Sequence, residues 1–183
     1  MKERKTVHLI LLLIIAVLVG AAWMLMSHGG RYYDEYSIRY DTVVSVSKLR
    51  SAVGDSVILP DISVGEIESF EALVGYRDDS RTSESFVVLE AYYFFPDKTY
   101  CEWKVDAKKE EYFVTRTANL SVPPEAVYCE EEDIHYALQN DGGLSRCDVY
   151  FERDDVLYYV TMRTRGQTAE KLLDELLTRL AIR

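Results

Sequence analysis

Residues 86–95, FVVLEAYYFF, carry the strongest strand signal in the 183-residue chain. Alternate positions form two apolar faces, which only Glu90 interrupts. One face holds Val87, Leu89, Ala91, Tyr93 and Phe95, and the other holds Phe86, Val88, Tyr92 and Phe94. A strand that is apolar on both faces is typically covered on both faces. The sequence therefore predicts that this strand lies inside a sheet and not at its edge.

Further strand patterns lie on both sides of this central strand. Each is a run of alternating apolar and polar residues bounded by turn residues. We predict strands over residues 66–76, 99–106, 112–118, 126–138, 145–152 and 156–164. The turn signals at residues 140–143 and 153–155 predict that the last strands form hairpins. Within 126–138 we expect a bulge at the acidic residues.

Two helices are expected to flank the strands. Residues 45–53 have apolar side chains at helical spacing, and Gly54 can adopt the left-handed conformation that ends a helix. A second helix should begin after Thr168 as its N-cap. Its apolar stripe consists of Leu172, Leu173, Leu176, Leu177 and Leu180. The stripe has to be buried, and the sheet is the available surface. The predicted fold class is α+β, with one antiparallel sheet, a short N-terminal helix and a C-terminal amphipathic helix packed on the sheet.

The N-terminal segment 7–26, VHLILLLIIAVLVGAAWMLM, predicts a transmembrane helix. At a rise of about 1.5 Å per residue it spans about 30 Å, the thickness of a hydrocarbon core. Lys2, Arg4 and Lys5 should stay in the cytoplasm, which places the rest of the chain outside it. The alternative is a signal peptide cleaved after Ala22. The expected parts are a cytoplasmic tip (1–6), a transmembrane anchor (7–26), a linker with the first extended segment (27–44) and an extracytoplasmic α+β domain (45–183).

The net charge of −10 is unevenly distributed along the chain. Residues 1–5 carry three basic and one acidic side chain, and residues 6–30 carry none. The remaining 18 basic and 30 acidic residues give residues 31–183 a charge of −12. A nucleic-acid binder needs clustered Lys and Arg. The charge therefore argues against nucleic acid as a partner and leaves the membrane and an envelope protein.

Three cysteines, Cys101, Cys129 and Cys147, lie on apolar strand faces. A free thiol in such a place packs as a small hydrophobic residue, whereas an exported domain can form a disulfide. Both interpretations stay open, and the preferred disulfide is Cys129–Cys147 or Cys101–Cys147. No CxxC spacing supports a zinc or redox site. A catalytic thiol would need His135 as its base, and nothing in the sequence brings the two together.

Acidic residues are most concentrated at 130–133, with smaller clusters at Asp78-Asp79 and Asp154-Asp155. The spacing of a calcium-binding EF-hand loop is absent. A solvated loop or a charged edge that discourages strand addition is the favoured interpretation. No motif for a serine, zinc or phosphate-binding site occurs. We therefore assign no catalytic, metal or cofactor-binding residues.

Two stretches resemble a known type of domain. Residues 47–60, SKLRSAVGDSVILP, and the tail 149–180, a strand, an acidic turn, a Tyr-rich strand and a leucine helix, are similar to uncharacterised extracytoplasmic domains of Gram-positive bacteria. Such domains of unknown function follow the transmembrane helix of anti-sigma-like proteins. The resemblance implies an envelope domain without known activity or functional residues. Members of the anti-sigma type carry a cytoplasmic domain before the helix, and only six residues precede it here, so we do not expect direct control of a sigma factor.

Three functions remain open from the sequence. The first is a non-enzymatic, single-pass membrane protein whose outer domain binds a partner protein or senses an envelope ligand. The second is a membrane-tethered cell-wall hydrolase, which needs two carboxyl groups roughly 5–10 Å apart in a cleft. The third is a carrier of a small ligand or lipid, which needs a cavity between the sheet and the C-terminal helix.

Overall fold

The computed structural model describes residues 37–96, 100–109, 112 and 120–182, and these belong to one compact unit. The helices are α1 (Val46–Val53) and α2 (Ala169–Arg179). The strands are β1 (Arg39–Val43), β2 (Ser69–Tyr76), β3 (Phe86–Phe94), β4 (Tyr100–Lys109), β5 (Val127–Cys129), β6 (Ile134–Asp141), β7 (Leu144–Arg153) and β8 (Val156–Arg165).

The eight strands form one sheet in the order β1-β2-β3-β4-β8-β7-β6-β5. Every neighbouring pair is antiparallel. The predicted α+β class with an antiparallel sheet is therefore confirmed. The central strand is also confirmed, because β3 lies between β2 and β4. Among the described strands, only the neighbours β4 and β8 are far apart in sequence, and they join the two halves of the sheet.

A β-bulge makes the predicted faces of β3 wrong at its first residues. Gly75 pairs with Val88 but Tyr76 pairs with Phe86, so Val87 is an extra residue on this strand. A bulge exchanges the two faces beyond it. Phe86 therefore packs in the main core, and Val87 lies with Val88 in a separate smaller cluster.

The segment predicted as one bulged strand over 126–138 is two strands. β5 and β6 form a tight hairpin in which Cys129 pairs with Ile134. The acidic residues 130–133 make the turn between them, with Asp133 at a φ of 54°. Asp is among the few residues that adopt this left-handed conformation readily. The acidic run is thus a solvated turn, as expected from its charge, and not a bulge.

Both helices pack on the same face of the sheet. α1 follows Ser45 and ends at Gly54, whose φ is 59°, and α2 follows Thr168, as predicted. α1 lies against β1 and β2, and α2 lies against β6 and β7. Their buried side chains form one core with the strand residues that face them. The helical residues of this core are Val46, Leu49, Val53, Leu172, Leu176 and Leu177, and Leu180 joins them directly after α2.

The predicted transmembrane anchor, residues 7–26, lies outside the described residues. Most of the strand predicted over 112–118 lies outside them too, and Tyr112 itself is buried and not part of a strand. Within the described part of the chain, no helix combines the length and the apolar character needed to cross a membrane.

Candidate binding groove on the open face of the sheet

The two faces of the sheet differ in chemistry. One face packs against α1 and α2, and we call the opposite one the open face. The strand register places a continuous row of polar and aromatic residues across the open face from β3 to β5. The row is Glu90, Asp106, Tyr159, Tyr150, His135 and Tyr128. Directly opposed residues have Cβ atoms roughly 5 Å apart, so neighbours in this row are close enough to interact.

A buried ion pair lies at one end of the row. Lys104 Nζ is 2.9 Å from Asp106 Oδ2 and 3.4 Å from Glu90 Oε1. The Tyr92 hydroxyl donates to Glu90 Oε1 at 2.5 Å. Asp106 is only 5% exposed, and among the described residues its Oδ1 has no hydrogen-bond partner. Burial raises the pKa of Asp106 to about 6, although the hydrogen bond from Lys104 acts in the opposite direction.

A second polar cluster lies on β7 and β8. Arg146 Nε is 2.9 Å from Asp148 Oδ1 and 2.7 Å from Asp148 Oδ2. The Arg146 Nη2 group donates to the Tyr159 hydroxyl at 2.6 Å, and that hydroxyl donates to Asp148 Oδ1 at 2.9 Å. Each group in the triangle is therefore paired, as buried charges must be. Thr161, buried between the clusters, is opposite Lys104 on one side and Asp148 on the other.

A groove of about 710 Å³ opens at the end of the sheet where β7 turns into β8. We call it the hairpin groove. Its apolar and aromatic lining residues are Leu120, Val122, Tyr150, Phe151, Leu157 and Tyr158. Its polar lining residues are Asp133, His135, Glu152, Arg153, Asp154 and Asp155. Half of its lining is thus apolar or aromatic and half is polar or charged, and we call the apolar part its floor and the charged part its rim.

The rim of the hairpin groove is predominantly acidic. Arg153 is its one arginine, and it is held by neighbours: Nη1 lies 3.3 Å from Asp133 Oδ2, and Nη2 donates to the Glu132 carbonyl at 2.8 Å. Glu152, Asp154 and Asp155 are exposed along the same rim. The rim consequently presents an excess of carboxylates to whatever enters the groove.

A second cavity of about 390 Å³ adjoins the groove along the open face. Tyr150 lines both cavities, and its ring stacks on Tyr159 with 4.9 Å between centroids. Pro123 and Glu125 border the smaller cavity on one side, and Asp148 borders it on the other. The two cavities follow the chain segment that begins at Leu120, so the concave surface is longer than the hairpin groove alone.

The two described thiols are free. Cys147 is buried on the core face, and burial raises its pKa to about 12, which makes it a poor nucleophile. Cys147 on β7 pairs with Leu138 of β6. Cys129 on β5 pairs with Ile134 of β6, which lies four positions before Leu138. The two cysteines are thus on opposite sides of β6 and four positions apart along it. A Cys129–Cys147 disulfide is therefore not formed and would require backbone movement. The side chain of Cys101 lies outside the described residues, so the alternative pair with Cys147 stays a prediction.

His135 lies on the face opposite to both described thiols. It pairs with Tyr128 and Tyr150 on the open face, and its ring is 4.9 Å from the Tyr128 ring. Cys129 is half-buried, and its Sγ donates to Glu132 Oε2 at 2.7 Å. A thiol activated by His135 needs both groups in contact, and the strand alternation separates them. Among the described residues no group of three His, Cys, Asp or Glu side chains could hold a metal ion.

Neither the buried ion pair nor the core packed against α2 supports the hydrolase or the carrier hypothesis. Glu90 and Asp106 are two neighbouring carboxylates, but both contact Lys104 and Asp106 is buried, whereas a glycosidase presents its pair in an open cleft. Leu172 and Leu176, on the side of α2 that faces the sheet, are fully buried in the main core. A core filled in this way leaves little room for a ligand around these two leucines.

Comparisons of the chain with protein-family models, with curated proteins and with solved structures found no match.

The sequence contained one signal of this site. Glu90, the residue that interrupts the apolar faces of the central strand, marks the side of β3 that carries the buried ion pair. The hairpin groove had no such signal. Its walls come from Leu120 and Val122, from the turn at Asp133, and from the β7–β8 hairpin, and only the folded sheet brings these segments together.

Proposed function

We propose that this chain is a non-enzymatic, single-pass membrane protein of the cell envelope whose outer domain binds a partner protein in the hairpin groove. The observation that carries the proposal is the groove itself, an open concavity of about 710 Å³ with an apolar floor and a charged rim. The apolar segment 7–26 and the resemblance to extracytoplasmic domains support the location.

The shape and lining of the groove favour a peptide segment over a small molecule. The groove is open to solvent and continues into the cavity beyond Tyr150, so an extended chain can follow it. Val122, on its border, is 42% exposed. The groove thus offers a bound peptide apolar contacts along its floor and polar contacts at its rim.

The charge of the rim favours a partner segment with basic residues. Glu152, Asp154 and Asp155 face solvent there, and residues 31–183 carry a net charge of −12. A field of this sign attracts a cationic segment from a distance and repels an anionic one. Apolar residues within such a segment would contact the floor.

Site-specific photocrosslinking in the full-length protein tests the proposal. The photoreactive residue p-benzoylphenylalanine replaces Val122 at the groove or, as the control, Lys171 on the exposed side of α2. We expect one discrete crosslinked protein from position 122 and none from position 171. The same products from both positions, or none from position 122, would overturn the proposal.

The crosslinked partner then allows a direct test of binding. Asp154→Asn with Asp155→Asn should weaken the affinity of the purified partner about tenfold or more, because two rim charges are lost. The matched control is Asp78→Asn with Asp79→Asn, an exposed acidic pair outside the groove. Equal affinities for the two double variants would show that the rim does not contact the partner.

A further inference from the structure

A separate pocket of about 290 Å³ lies on the helix side of the sheet, where α2 ends near the start of β4. Phe95, Pro96 and Trp103 form its apolar wall. Glu66, Glu175 and Arg179 form its polar wall. Its volume is at the lower end of the range of roughly 300–1,000 Å³ that small-ligand sites occupy. This pocket shares no lining residue with the hairpin groove.

The guanidinium of Arg179 is fixed in the polar wall. Its Nη1 lies 2.9 Å from Glu66 Oε1, and its Nε lies 3.2 Å from Glu175 Oε1. Its Nη1 also donates to the Asp61 carbonyl at 3.2 Å. The guanidinium carbon is 5.9 Å from the centre of the Trp103 ring. Polar groups held in this way lose little conformational entropy when a ligand binds to them.

Trp103 has an indole donor that the protein leaves unused. Its indole is almost completely buried, and among the described residues its Nε1 has no hydrogen-bond acceptor. A buried donor without an acceptor costs free energy. The Nε1 atom is itself inaccessible, so Trp103 contributes apolar wall surface to the pocket and not a hydrogen bond to a ligand.

The charges of the pocket restrict the ligand. Two carboxylates and one guanidinium give a net charge of −1, which disfavours an anion. Hydrogen bonds from the Ser63 backbone and side chain and from Arg179 lower the pKa of Glu66 to about 2, so this carboxylate stays ionised. A cation is disfavoured because Arg179 already occupies the position between both carboxylates and over the Trp103 ring.

A neutral polyhydroxylated ring is the ligand that can use the hydrogen-bonding groups of this pocket without bringing in a charge. Its hydroxyl groups can donate to Glu66 and Glu175, and its oxygens can accept from Arg179, and all of these hydrogen bonds are charge-assisted. Its C–H surface can pack on Phe95, which is half-buried beside the Trp103 ring with 6.4 Å between centroids. We infer that the pocket between Phe95, Trp103 and Arg179 binds a neutral saccharide unit.

Ligands of equal size and different charge test this inference. The full chain is prepared in a detergent without a sugar headgroup, and saturation-transfer NMR measures binding of glucose, N-acetylglucosamine, glucosamine and glucuronate. We expect transfer to at least one of the two neutral sugars and at least tenfold weaker binding of cationic glucosamine and anionic glucuronate. Absence of transfer to both neutral sugars, or tighter binding of either charged sugar, would overturn the inference.

Two pairs of variants assign the binding to this pocket. Phe95→Ala should weaken sugar binding at least tenfold, whereas its neighbour Phe94→Ala, half-buried on the opposite side of the strand, should change it less than twofold. Glu175→Gln should weaken binding in the same way, and Glu170→Gln, an exposed residue at the start of α2, should not. Equal effects within both pairs would place the sugar elsewhere.

Discussion

On strand β4, burial of side chains has opposite effects on the free energy of folding at the two faces of the sheet. On β4, Trp103, Val105 and Ala107 point towards the helices, and Lys104 and Asp106 point to the open face. Asp106 is nearly as inaccessible as the apolar residues beside it. Removing apolar surface from water stabilises the fold, but removing a carboxylate from water costs free energy that its partners only partly return.

Burial on the helix-covered face therefore stabilises the fold, and burial of charged groups on the open face destabilises it. Charged residues are buried on the open face, where apolar residues of similar size would cost less free energy. Such an arrangement is expected where a surface serves binding and not folding alone. Four changes, taken from the largest expected effect to the smallest, test this division.

Leu176→Ala on the covered face should cost most. Leu176 is fully buried in the main core, and truncation of a buried leucine leaves a cavity that costs about 2–5 kcal/mol. Urea unfolding of the full chain in detergent measures the loss. Leu173→Ala, a half-buried position on the same helix, is the matched control and should cost distinctly less. Equal losses would mean that the stripe of α2 is not packed as described.

The pH dependence of stability should reveal Asp106 on the open face. Its pKa is raised to about 6 in the folded protein, chiefly by burial, and lies near about 3.9 in an unfolded chain. The folded state therefore binds more protons between these values. The contribution of Asp106 to stability is full below about pH 4 and is lost as the pH rises to about 6, by at most about 3 kcal/mol.

Unfolding curves at pH 4, 5, 6 and 7 for the natural chain and for Asp106→Asn measure this loss. The asparagine variant should lack the decline between pH 4 and pH 6. Glu66 provides an internal contrast, because its pKa is lowered to about 2 and its contribution is lost only as the pH falls below about 4.5. If the free energy of unfolding depended on pH in the same way for the natural chain and Asp106→Asn, Asp106 would not be a buried carboxylate with a raised pKa.

Lys104→Met should cost less than the core truncation, roughly 1–3 kcal/mol at neutral pH. The change removes the cation 2.9 Å from Asp106 Oδ2 and leaves a buried carboxylate without its partner. Lys104→Met combined with Asp106→Leu should recover most of the loss, since an apolar pair can replace a buried ion pair. A double variant that loses the sum of the two single effects would show that Lys104 and Asp106 are not coupled energetically.

Periodicity predicted most of the covered face and little of the open face. Alternation located β2, β3, β4, β7 and β8, and helical spacing with Gly54 and Thr168 located both helices, because these signals are local. The bulge at Val87 could not be predicted, since it depends on how Gly75 and Tyr76 pair with the next strand. The break between β5 and β6 depends on one left-handed aspartate, Asp133, which no periodicity marks.

The sites escaped prediction for a related reason. The hairpin groove joins residues from three separate segments, and the pocket at Trp103 joins the turn at Glu66, the end of β3 and the end of α2. No spacing along the chain encodes such contacts. The acidic pair Asp154-Asp155 was visible in the sequence, but only the folded sheet shows that it lies beside Leu157 and Tyr158 in one groove.

The two turns that border β7 allow the smallest test. Gly142 and Gly143 make one turn with φ angles of 54° and 85°, and Asp154 and Asp155 make the other with φ angles of 52° and 61°. Positive φ at both positions favours Asn-Gly. Asp154→Asn with Asp155→Gly should therefore stabilise the chain by about 0.5–1 kcal/mol in urea unfolding.

The same double variant separates stability from binding. If the aspartates are retained for the rim of the groove, the stabilised protein should bind its partner more weakly, because two carboxylates are lost. Asp154→Asn alone keeps Asp155 and should show the smaller effect on both quantities. A variant that gains stability and keeps full affinity would show that the aspartates serve only the turn, and the hairpin groove would then lose its electrostatic argument.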